Sequence, residues 1–542
     1  MILFSTMFLS MFITISITPF FKWYAVRINA VDMPGERKIH KQPTPRIGGV
    51  AMAVGALIPL LYWAHMDRFM ISVFIGSGII VFFGVWDDIK SLGYKIKFAG
   101  QVAAALIVIF YGGVQVQNSG ELFAGSMIFL LPLTFVFIIG VTNAINLSDG
   151  LDGLAGGISV ISFAGIGCLA YLCDNTGILI ICVAVVGAIF GFLRFNTFPA
   201  VIFLGDAGSQ LLGFLAAVLS LSLVQNNYPY SPVLPLLLVG FPVLDTLTVM
   251  TKRIMAKKSP FKGDTRHFHH RLIHLGFYHT EAVFCIYAFQ MLIITSAVIF
   301  RFYSTWNIIA LYLVFSFSIT YGFIIVENAG KGVFRSVFFD NFIKHKLKLL
   351  KEKKVFIKLF FKTICMGIPL LLLITTCIPT KIPIYFSYSS IIVCLLVLIS
   401  MIFFKKWLSG ILRFAIYMIA PFLIFISEVN MAPWMDLKME LTYNMLFGLF
   451  VFFVILVLKL TKRQKGFKPT PMDFLILFIA LIVPKLTIGD FESSSMEIIA
   501  VKAIIIIFSY EVIIGELRGK LNKLGILTAT AFVMIFARGF IN

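Results

Sequence analysis

Long apolar runs separated by short polar segments fill the first 330 residues of the chain. Eleven runs can be counted, and each is close to the length of about 20 residues that a helix needs to cross a bilayer. They lie near residues 2–21, 47–64, 69–86, 98–117, 127–145, 158–173, 178–193, 209–225, 232–250, 281–299 and 308–326. The first run lacks the basic n-region and the cleavage site of a signal peptide, so we expect it to be retained. The pattern predicts an all-α, polytopic integral membrane protein with an eleven-span core.

A lysine-rich segment interrupts this pattern, and about seven further apolar runs follow it. They lie near residues 363–379, 388–404, 409–426, 442–458, 471–486, 498–515 and 524–541. We therefore divide the chain into a core at 1–330, a basic linker at 331–362 and a transmembrane extension at 363–542. Within the extension, Lys502 and Glu511 share one apolar run but not one helical face, so we expect each to snorkel or to pair with other helices. A scaffolding or partner-docking role and an activity of its own both remain open for the extension.

Composition and charge support the membrane interpretation. The chain is 60% hydrophobic and 13% charged, which excludes soluble globular, disordered, collagen-like and coiled-coil classes. If the N-terminus lies outside, the cytoplasmic loops and turns of the core together with the basic linker carry 27 Lys and Arg residues, and the outer segments of the core carry 2. The net charge of +20 is therefore a sign of topology and of contact with membrane lipids, and we expect no nucleic-acid partner. The seven cysteines fall in apolar runs without metal-ligand spacing, so we expect inert packing residues.

Carboxylates are concentrated where the core runs meet the predicted cytoplasmic side. Asp87 and Asp88 end the third run, Asp149 and Asp152 follow the fifth, and Asp206 precedes the eighth. Ionisable residues near a span are expensive and mark functional sites. Adjacent carboxylates repel unless a cation lies between them, and Mg²⁺ takes one or two carboxylates together with substrate phosphates. The inventory predicts a site for Mg²⁺, or Mn²⁺ in its place, and a diphosphate.

The segment 146–157 combines two of these carboxylates with four glycines. If the segment opens a helix, Asp149 and Asp152 share a face and Asn146 lies one turn earlier. The glycines would then offer free amide groups to an anionic ligand. The alternative is a glycine-rich turn in which the aspartates act as caps.

The loop 252–279 contains five of the eight histidines. His267, His269 and His270 form a His-x-His-His motif beside Arg266. A structural zinc site is disfavoured because finger-type spacing is absent and the neighbouring basic residues would repel a cation. Histidine among arginine residues suits phosphate oxygens, while a basic loop that contacts anionic lipid headgroups is the alternative.

The first cytoplasmic loop is rich in proline and ends in a glycine pair. It carries Lys41 and Arg46, which could reach a phosphate group from below the site. Taken alone, the loop could equally be a linker at the membrane surface.

The ordered motifs resemble those of the polyprenyl-phosphate N-acetylhexosamine-1-phosphate transferases, a membrane family that includes phospho-N-acetylmuramoyl-pentapeptide transferase. The resemblance covers about residues 1–330 and implies that this segment is a membrane sugar-1-phosphate transferase core. The motifs are Arg-Lys-x-His-x5-Arg-x-Gly-Gly, the Asp-Asp pair, Asn-Ala-x-Asn-Leu-x-Asp-Gly-Leu-Asp-Gly-Leu-Ala, Phe-Asn-x-x-Pro-Ala with Phe-Leu-Gly-Asp-Ala-Gly-Ser, and His-x-His-His.

The resemblance implies a reaction and its setting. A sugar 1-phosphate, with N-acetylglucosamine as the first choice, passes from a UDP-N-acetylhexosamine to undecaprenyl phosphate, and UMP is released. The reaction uses Mg²⁺ at the cytoplasmic face of the bacterial inner membrane and begins the synthesis of a surface glycan, such as a cell-wall polymer or O-antigen. A homodimer is a further expectation.

The resemblance also implies roles for individual residues. Asp206 resembles the principal Mg²⁺ ligand, with Asp149 beside it, and Asp87, next to Asp88, resembles the residue that engages or deprotonates the lipid phosphate. The remaining catalytic candidates form the sugar and phosphate loop: His267, His269 and His270. The substrate-binding candidates are Asn146 for the diphosphate, Asp152 for uridine, Phe203 for uracil, and Lys41, Arg46, Asn196 and Arg266 for the rest of the pocket.

Two motifs separate the branches of the family. The Pro-Arg-x-Gly-Gly loop and the interrupted His-x-His-His resemble the N-acetylhexosamine branch. The muropeptide branch has Gly-Thr-Pro-Thr-Met-Gly-Gly and an unbroken His-His-His, and transfer of phospho-MurNAc-pentapeptide is therefore the alternative. A lipid or sugar transporter is the rival from another class, although it would place its charges near the bilayer midplane in broken helices.

Overall fold

The structure is a computed structural model, and it describes most of the chain. The described residues are 2–33, 43–116, 127–226, 230–259, 266–328, 354–405, 407–460, 493–517 and 521–541. Packing separates them into two compact units, one before residue 335 and one after it.

The first unit is a bundle of helices with one small antiparallel pair of strands. Its strands are β1 (Val31–Asp32) and β2 (Thr44–Pro45). Its helices are α1 (Ile2–Arg27), α2 (Gly48–Trp63), α3 (Arg68–Lys90), α4 (Tyr94–Leu106, continued by a π-helical turn, Ile107–Tyr111), α5 (Met127–Leu147), α6 (Leu154–Leu172), α7 (Thr176–Asn196), α8 (Gly205–Asn226), α9 (Leu234–Leu238), α10 (Gly240–Met255), α11 (Phe268–His274), α12 (His279–Ile299) and α13 (Thr305–Asn328).

The helical, membrane-spanning character predicted from the apolar runs is confirmed. Among the described residues, 13 helices are long and apolar enough to cross a membrane, and a shorter apolar helix corresponds to the second run. The protein is a multi-pass membrane protein.

The ninth predicted run is wrong as a single span, because it is divided between α9 and α10. Pro242 lacks an N–H group and its ring would clash with the carbonyl of Leu238 in a continuous helix. The side chain of Gln290 compensates for the break: its Oε1 accepts from Phe241 N at 2.9 Å and its Nε2 donates to Leu238 O at 3.4 Å. The break is therefore satisfied by a buried amide from α12.

Helix α8 lies at the centre of the first unit, and all of its most apolar 18-residue window is buried. Small residues allow its close approach to α2. A Cβ at Gly208 would lie 2.6 Å from the Cα of Gly49, so side chains are excluded where the two helices cross. This crossing fixes the N-terminal turn of α8 against the start of α2.

The first predicted cytoplasmic loop ends against the segment that precedes α8. Phe203 N donates to Pro45 O at 2.7 Å, and Gly48 N donates to Phe203 O at 3.0 Å. Arg46 N donates to Ala30 O at 3.0 Å. These backbone bonds place Arg46 beside the start of α8, and the short strand pair that supports them was not predicted from the sequence.

The second unit is also helical. Its helices are α14 (Lys354–Cys377), α15 (Ile384–Ile402), α16 (Leu408–Val429), α17 (Leu437–Leu460), α18 (Ser493–Leu517) and α19 (Asn522–Ile541). Lys502 and Glu511 of α18 pair with other helices, as expected: Lys502 Nζ donates to Glu428 Oε1 at 2.6 Å, and Glu511 accepts from Arg413 Nε at 2.9 Å. The predicted span at 471–486 lies outside the described residues, and the three-part domain division stays a prediction.

Candidate active site

A cavity of about 740 Å³ opens at the end of the first unit where α8 begins. It is formed by the end of α1, the strand pair, the turn between α5 and α6, the segment between α7 and α8, and single residues of α11 and α12. Segments that are far apart in the sequence therefore meet at one site.

The structure distributes the predicted site residues in three groups. Eight line the cavity: Arg46, Asn146, Asp149, Asp152, Asn196, Phe203, Asp206 and His270. Five do not belong to its lining: Asp87, Asp88, His267, His269 and Arg266. Lys41 lies outside the described residues.

Asp206 lies in the first turn of α8 and is linked to Asp87 through a lysine. Lys97 Nζ on α4 donates to Asp206 Oδ2 at 2.7 Å and is 2.6 Å from Asp87 Oδ2. Asp206 Oδ1 also accepts from Asn146 Nδ2 at 3.3 Å, and Asp87 Oδ1 accepts from Leu92 N at 2.6 Å. A positive group thus lies between two carboxylates and offsets the repulsion between them.

Sequence reasoning missed Lys97, which it counted only as one of the basic residues of its loop. Its signal was its position on α4, a few residues after the loop that follows the Asp-Asp pair. A lysine so close to two carboxylates near a membrane span is a functional candidate.

Asp88 has a different environment from its neighbour. Its Oδ1 accepts from Asp206 N at 3.0 Å and its Oδ2 accepts from Ala207 N at 3.3 Å, so its carboxylate caps the N-terminus of α8. Gly205 makes this approach possible: its φ is +72°, and a Cβ there would overlap Arg46 O and Asp88 Oδ2. Asp88 was predicted among the catalytic residues, and the structure gives it a positioning geometry because both of its oxygens bond to backbone.

The segment after α5 is a turn, so of the two interpretations left open for 146–157 the structure has the glycine-rich turn and no continuous helix. Helix α5 ends at Leu147 and α6 begins at Leu154, with Gly153 at φ +79° before it. The glycines favour this turn over a continuous helix because a helix interior costs glycine conformational entropy. Asp149 and Asp152 nevertheless face the same cavity.

The cavity changes the ionisation of Asp149. Burial raises the pKa of its carboxyl to about 7, and the negative charges of Asp206 and Asp152 act in the same direction. The Arg46 guanidinium opposes this shift in pKa. A cation or a basic group near this turn would therefore restore its charged form.

Another part of the cavity wall is held together by hydrogen bonds between segments that are distant in the sequence. Asn196 is 3% exposed; its Oδ1 accepts from Gly153 N and its Nδ2 donates to Ile202 O, both at 3.0 Å. His279 Nε2 accepts from Asp152 N at 3.1 Å. His279 lies nine residues beyond the His-x-His-His motif, so the motif gave no signal for it.

The wall also contains an aromatic pair. The His279 ring stacks on Phe198 with centroids 4.4 Å apart, and both residues line the cavity with Phe203. Two aromatic side chains other than the predicted Phe203 therefore face the ligand space.

Only one histidine of the motif faces the cavity. His270 is in its lining, whereas His267 and His269 are buried behind it. His267 Nδ1 donates to Asp245 Oδ2 at 3.0 Å, and a Cβ at Gly150 would overlap the His269 ring. Helix α11 therefore presents His270 while the other two histidines hold the helix in place.

Two of the motif histidines, His269 and His270, stay neutral near pH 7. Burial lowers the pKa of His269 well below its usual value, and the neighbouring histidines add to the effect. Burial likewise lowers the pKa of His270, again with help from adjacent histidine charge. A neutral imidazole can donate one hydrogen bond and accept another, which suits contacts with sugar or phosphate oxygens.

Asp206 and Asp87 have the chemistry that a divalent cation requires. Their oxygens already converge on one positive group, and Mg²⁺ needs only one or two protein carboxylates when phosphates and water complete its shell. Among the described residues there is no group of three or more His, Cys, Asp or Glu side chains that could hold a metal ion unaided. The residues present fit a metal that substrate phosphates help to bind.

Comparison with known proteins identifies the family of the chain. A multi-pass membrane protein with carboxylates, a lysine and histidines around a polar cavity has the features of an enzyme that handles phosphate esters at a membrane. Residues 70–224 match the family model described as glycosyl transferase family 4.

Several relatives with a named activity align with this chain over most of their own lengths. A probable undecaprenyl-phosphate N-acetylglucosaminyl 1-phosphate transferase of Bacillus subtilis (strain 168) is 35% identical over 315 residues, which are 56% of this chain and 86% of that protein. The undecaprenyl-phosphate alpha-N-acetylglucosaminyl 1-phosphate transferase of Escherichia coli (strain K12) is 30% identical over 59% of this chain and 90% of its own. A decaprenyl-phosphate N-acetylglucosaminephosphotransferase of Mycolicibacterium smegmatis is 34% identical over 51% and 76%. The chain belongs to this family of polyprenyl-phosphate N-acetylhexosamine-1-phosphate transferases, and the predicted resemblance is confirmed.

Proposed function

We propose that this protein transfers N-acetylglucosamine 1-phosphate from UDP-N-acetylglucosamine to a polyprenyl phosphate and releases UMP. The observation that carries the proposal is the Asp87–Lys97–Asp206 cluster at the start of α8, beside a cavity large enough for a nucleotide sugar. The names of the relatives supply the acceptor and the sugar. Undecaprenyl phosphate is the acceptor that we expect.

The reaction exchanges one phosphoanhydride for another, so the protein must neutralise and position charge. We propose Asp206 as the principal Mg²⁺ ligand and Asp149, on the turn between α5 and α6, as a second metal-site residue. Asp87 lies on the other side of Lys97 from Asp206. When bound, Mg²⁺ would offset the negative charge of the donor diphosphate. Mn²⁺ is the expected substitute because it also favours oxygen ligands.

The chain's own cationic groups act on the same phosphates. Lys97 supplies an ammonium between the carboxylates, and Arg46 lies in the cavity lining on the side of the strand pair. Asp87 has one oxygen held by Leu92 N and the other by Lys97, so its position is fixed before the acceptor arrives. We propose that Asp87 accepts a proton from, or orients, the lipid phosphate.

The remaining lining residues suit the nucleoside and the sugar. Asp152 has one oxygen occupied by Ala200 N at 2.9 Å, so it would contact uridine through its other oxygen. Phe203 offers an aromatic face for uracil, and His270 offers a neutral imidazole for sugar or phosphate oxygens.

The position of the charges favours an enzyme over a transporter. Asp87 is in the last turn of α3 and Asp206 is in the first turn of α8, so both lie at helix ends. A transporter would place such groups near the middle of broken helices. The basic loops at the same ends support a cytoplasmic site in the bacterial inner membrane. A homodimer stays a prediction.

The test is the reaction itself. Purified protein in detergent with Mg²⁺, UDP-N-acetylglucosamine and undecaprenyl phosphate should form undecaprenyl diphosphate N-acetylglucosamine and UMP, and UMP release should require both substrates. Asp206→Asn should abolish product or steeply raise the Mg²⁺ requirement, because it removes one of very few protein carboxylates at the cation. If only UDP-MurNAc-pentapeptide yields a lipid product, the muropeptide branch is correct. Movement of lipid or sugar without UMP release would instead support a transporter.

A further inference from the structure

A chain of buried amide side chains lies directly behind Asp206. Asn143 Nδ2 on α5 donates to Gln101 Oε1 on α4 at 2.8 Å, and Gln101 Nε2 donates to Gln210 Oε1 on α8 at 3.0 Å. Gln210 Nε2 then donates to Asp206 Oδ2 at 3.3 Å. Gln101 Nε2 also donates back to Asn143 Oδ1 at 3.3 Å, so the section that donates toward the carboxylate runs from Gln101 through Gln210. A donor at its end suits an ionised Asp206.

The two glutamines are deeply enclosed, each with 4% of its surface exposed. Amide groups in an apolar bundle are costly unless their hydrogen bonds are made. Leucine or methionine would fill this space at less cost if packing alone were required. Each glutamine amide meets this cost with hydrogen bonds, either to another helix or to Asp206.

The positions of the two glutamines along their helices relate them to Lys97 and Asp206. Gln101 follows Lys97 by four residues on α4, and Gln210 follows Asp206 by four residues on α8. Residues four apart lie on the same face of a helix. The Gln101–Gln210 bond is thus a second connection between α4 and α8, one turn deeper than the Lys97–Asp206 ion pair.

We propose that Gln101 and Gln210 are positioning residues that set α4 and α8 in the register in which Lys97 and Asp206 face each other. Gln210 also fixes the carboxylate itself, because it donates to the same Oδ2 that Lys97 contacts. This inference rests on the proposed function, since it assigns the glutamines a role toward the cation and the phosphates that Asp206 would hold. Groups that orient metal ligands in this way typically change metal affinity or activity about 10–100-fold when removed.

The test uses the full-length protein in detergent and replaces each glutamine by methionine, which has a similar length but no amide. Gln101→Met and Gln210→Met should each raise the Mg²⁺ concentration for half-maximal UMP release about tenfold or more. The same shift should appear in a measurement without turnover, the Mg²⁺ dependence of the melting temperature with UDP-N-acetylglucosamine present. Gln101→Asn keeps the amide but shortens its reach, so we expect a smaller shift in a milder variant.

Gln225→Met is the matched control, because Gln225 is on the same helix and bonds to the segment after α4, at Gln115 N and Gly113 O. It lies about 28 Å along α8 from Asp206 at 1.5 Å per residue. This variant should keep the wild-type Mg²⁺ midpoint. If folded Gln101 and Gln210 variants lose only stability and keep that midpoint, as the control does, the positioning role is wrong. Absence of UMP release by the wild-type protein would instead overturn the proposed function.

Discussion

Substitutions of the two adjacent aspartates at the end of α3 should have different effects: one should mainly lower stability, and the other should mainly stop turnover. Asp88 accepts hydrogen bonds from the backbone N–H groups of Asp206 and Ala207, whereas Asp87 bonds to Lys97 and Leu92 N. Asp88→Asn replaces one acceptor oxygen by an NH₂ group, which faces a backbone N–H and leaves it without a partner. Asp87→Asn keeps the amide oxygen for one of its donors and leaves the hydrogen bonds at the N-terminus of α8 in place.

The expected magnitude for Asp88→Asn follows from these contacts. Loss of a helix cap costs about 0.5–2 kcal/mol, and a hydrogen bond to a charged group contributes about 1.5–3 kcal/mol. Since one of two such bonds is lost, we expect a loss of about 2 kcal/mol in the free energy of unfolding. Activity should fall as well, because Asp206 lies in the first turn of α8, where the variant leaves a backbone N–H group without a partner. Asp87→Asn should stop turnover with a smaller effect on stability.

The assay compares both variants with the wild type in the same detergent. Apparent melting temperature reports stability, binding of UDP-N-acetylglucosamine reports the pocket, and UMP release reports chemistry. Asp88→Asn should have the lower melting temperature, while Asp87→Asn should bind the nucleotide sugar and fail to turn over. The reverse order of melting temperatures, or normal turnover by Asp87→Asn, would refute the assigned roles.

Three further predictions concern other parts of the first unit. Lys97→Met should lower UMP release about 100-fold or more in folded protein, because the ammonium between the two carboxylates is lost; unchanged turnover would contradict its role. Gly208→Ala should destabilise the protein by about 1–3 kcal/mol, measured as a lower melting temperature, because its Cβ would meet α2, whereas the control Gly140→Ala meets nothing within 4 Å and should leave it unchanged. Burial holds the pKa of His269 below its usual value, so the unfolded chain takes up a proton that the folded one does not; stability should therefore be full above about pH 6.5 and fall below it. His269→Gln should flatten that part of the melting profile, and an unchanged slope would contradict the assignment.

The spans could be predicted because an apolar run of this length has few alternatives. Their ends and interruptions could not, since these depend on partners distant in sequence. The division of the ninth run requires Gln290 from α12 to satisfy the freed backbone groups. The residues of the run itself give no indication of this distant partner. The strand pair before α2 likewise depends on backbone bonds to Phe203.

Sequence patterns predicted which residues form the site better than they predicted the role of each residue. Carboxylates near spans stand out in an apolar sequence, so Asp87, Asp88 and Asp206 were found. Their separate tasks depend on which oxygen meets which donor, and sequence spacing carries no such information. His267 illustrates the same limit: its motif indicates chemistry, while its contact with Asp245 holds it behind the cavity.

A spacing rule for polar residues would have found part of what was missed. Within the apolar helices α4 and α8, Lys97 with Gln101 and Asp206 with Gln210 each repeat at an interval of four. A polar pair at this interval marks one helical face, and two such faces in one membrane bundle gain stability only by meeting each other. In these two pairs the uncharged glutamine indicates which helices pack together, while the charged residue indicates the position of the active site. Polar side chains of both kinds need to be considered together when a membrane active site is inferred from sequence.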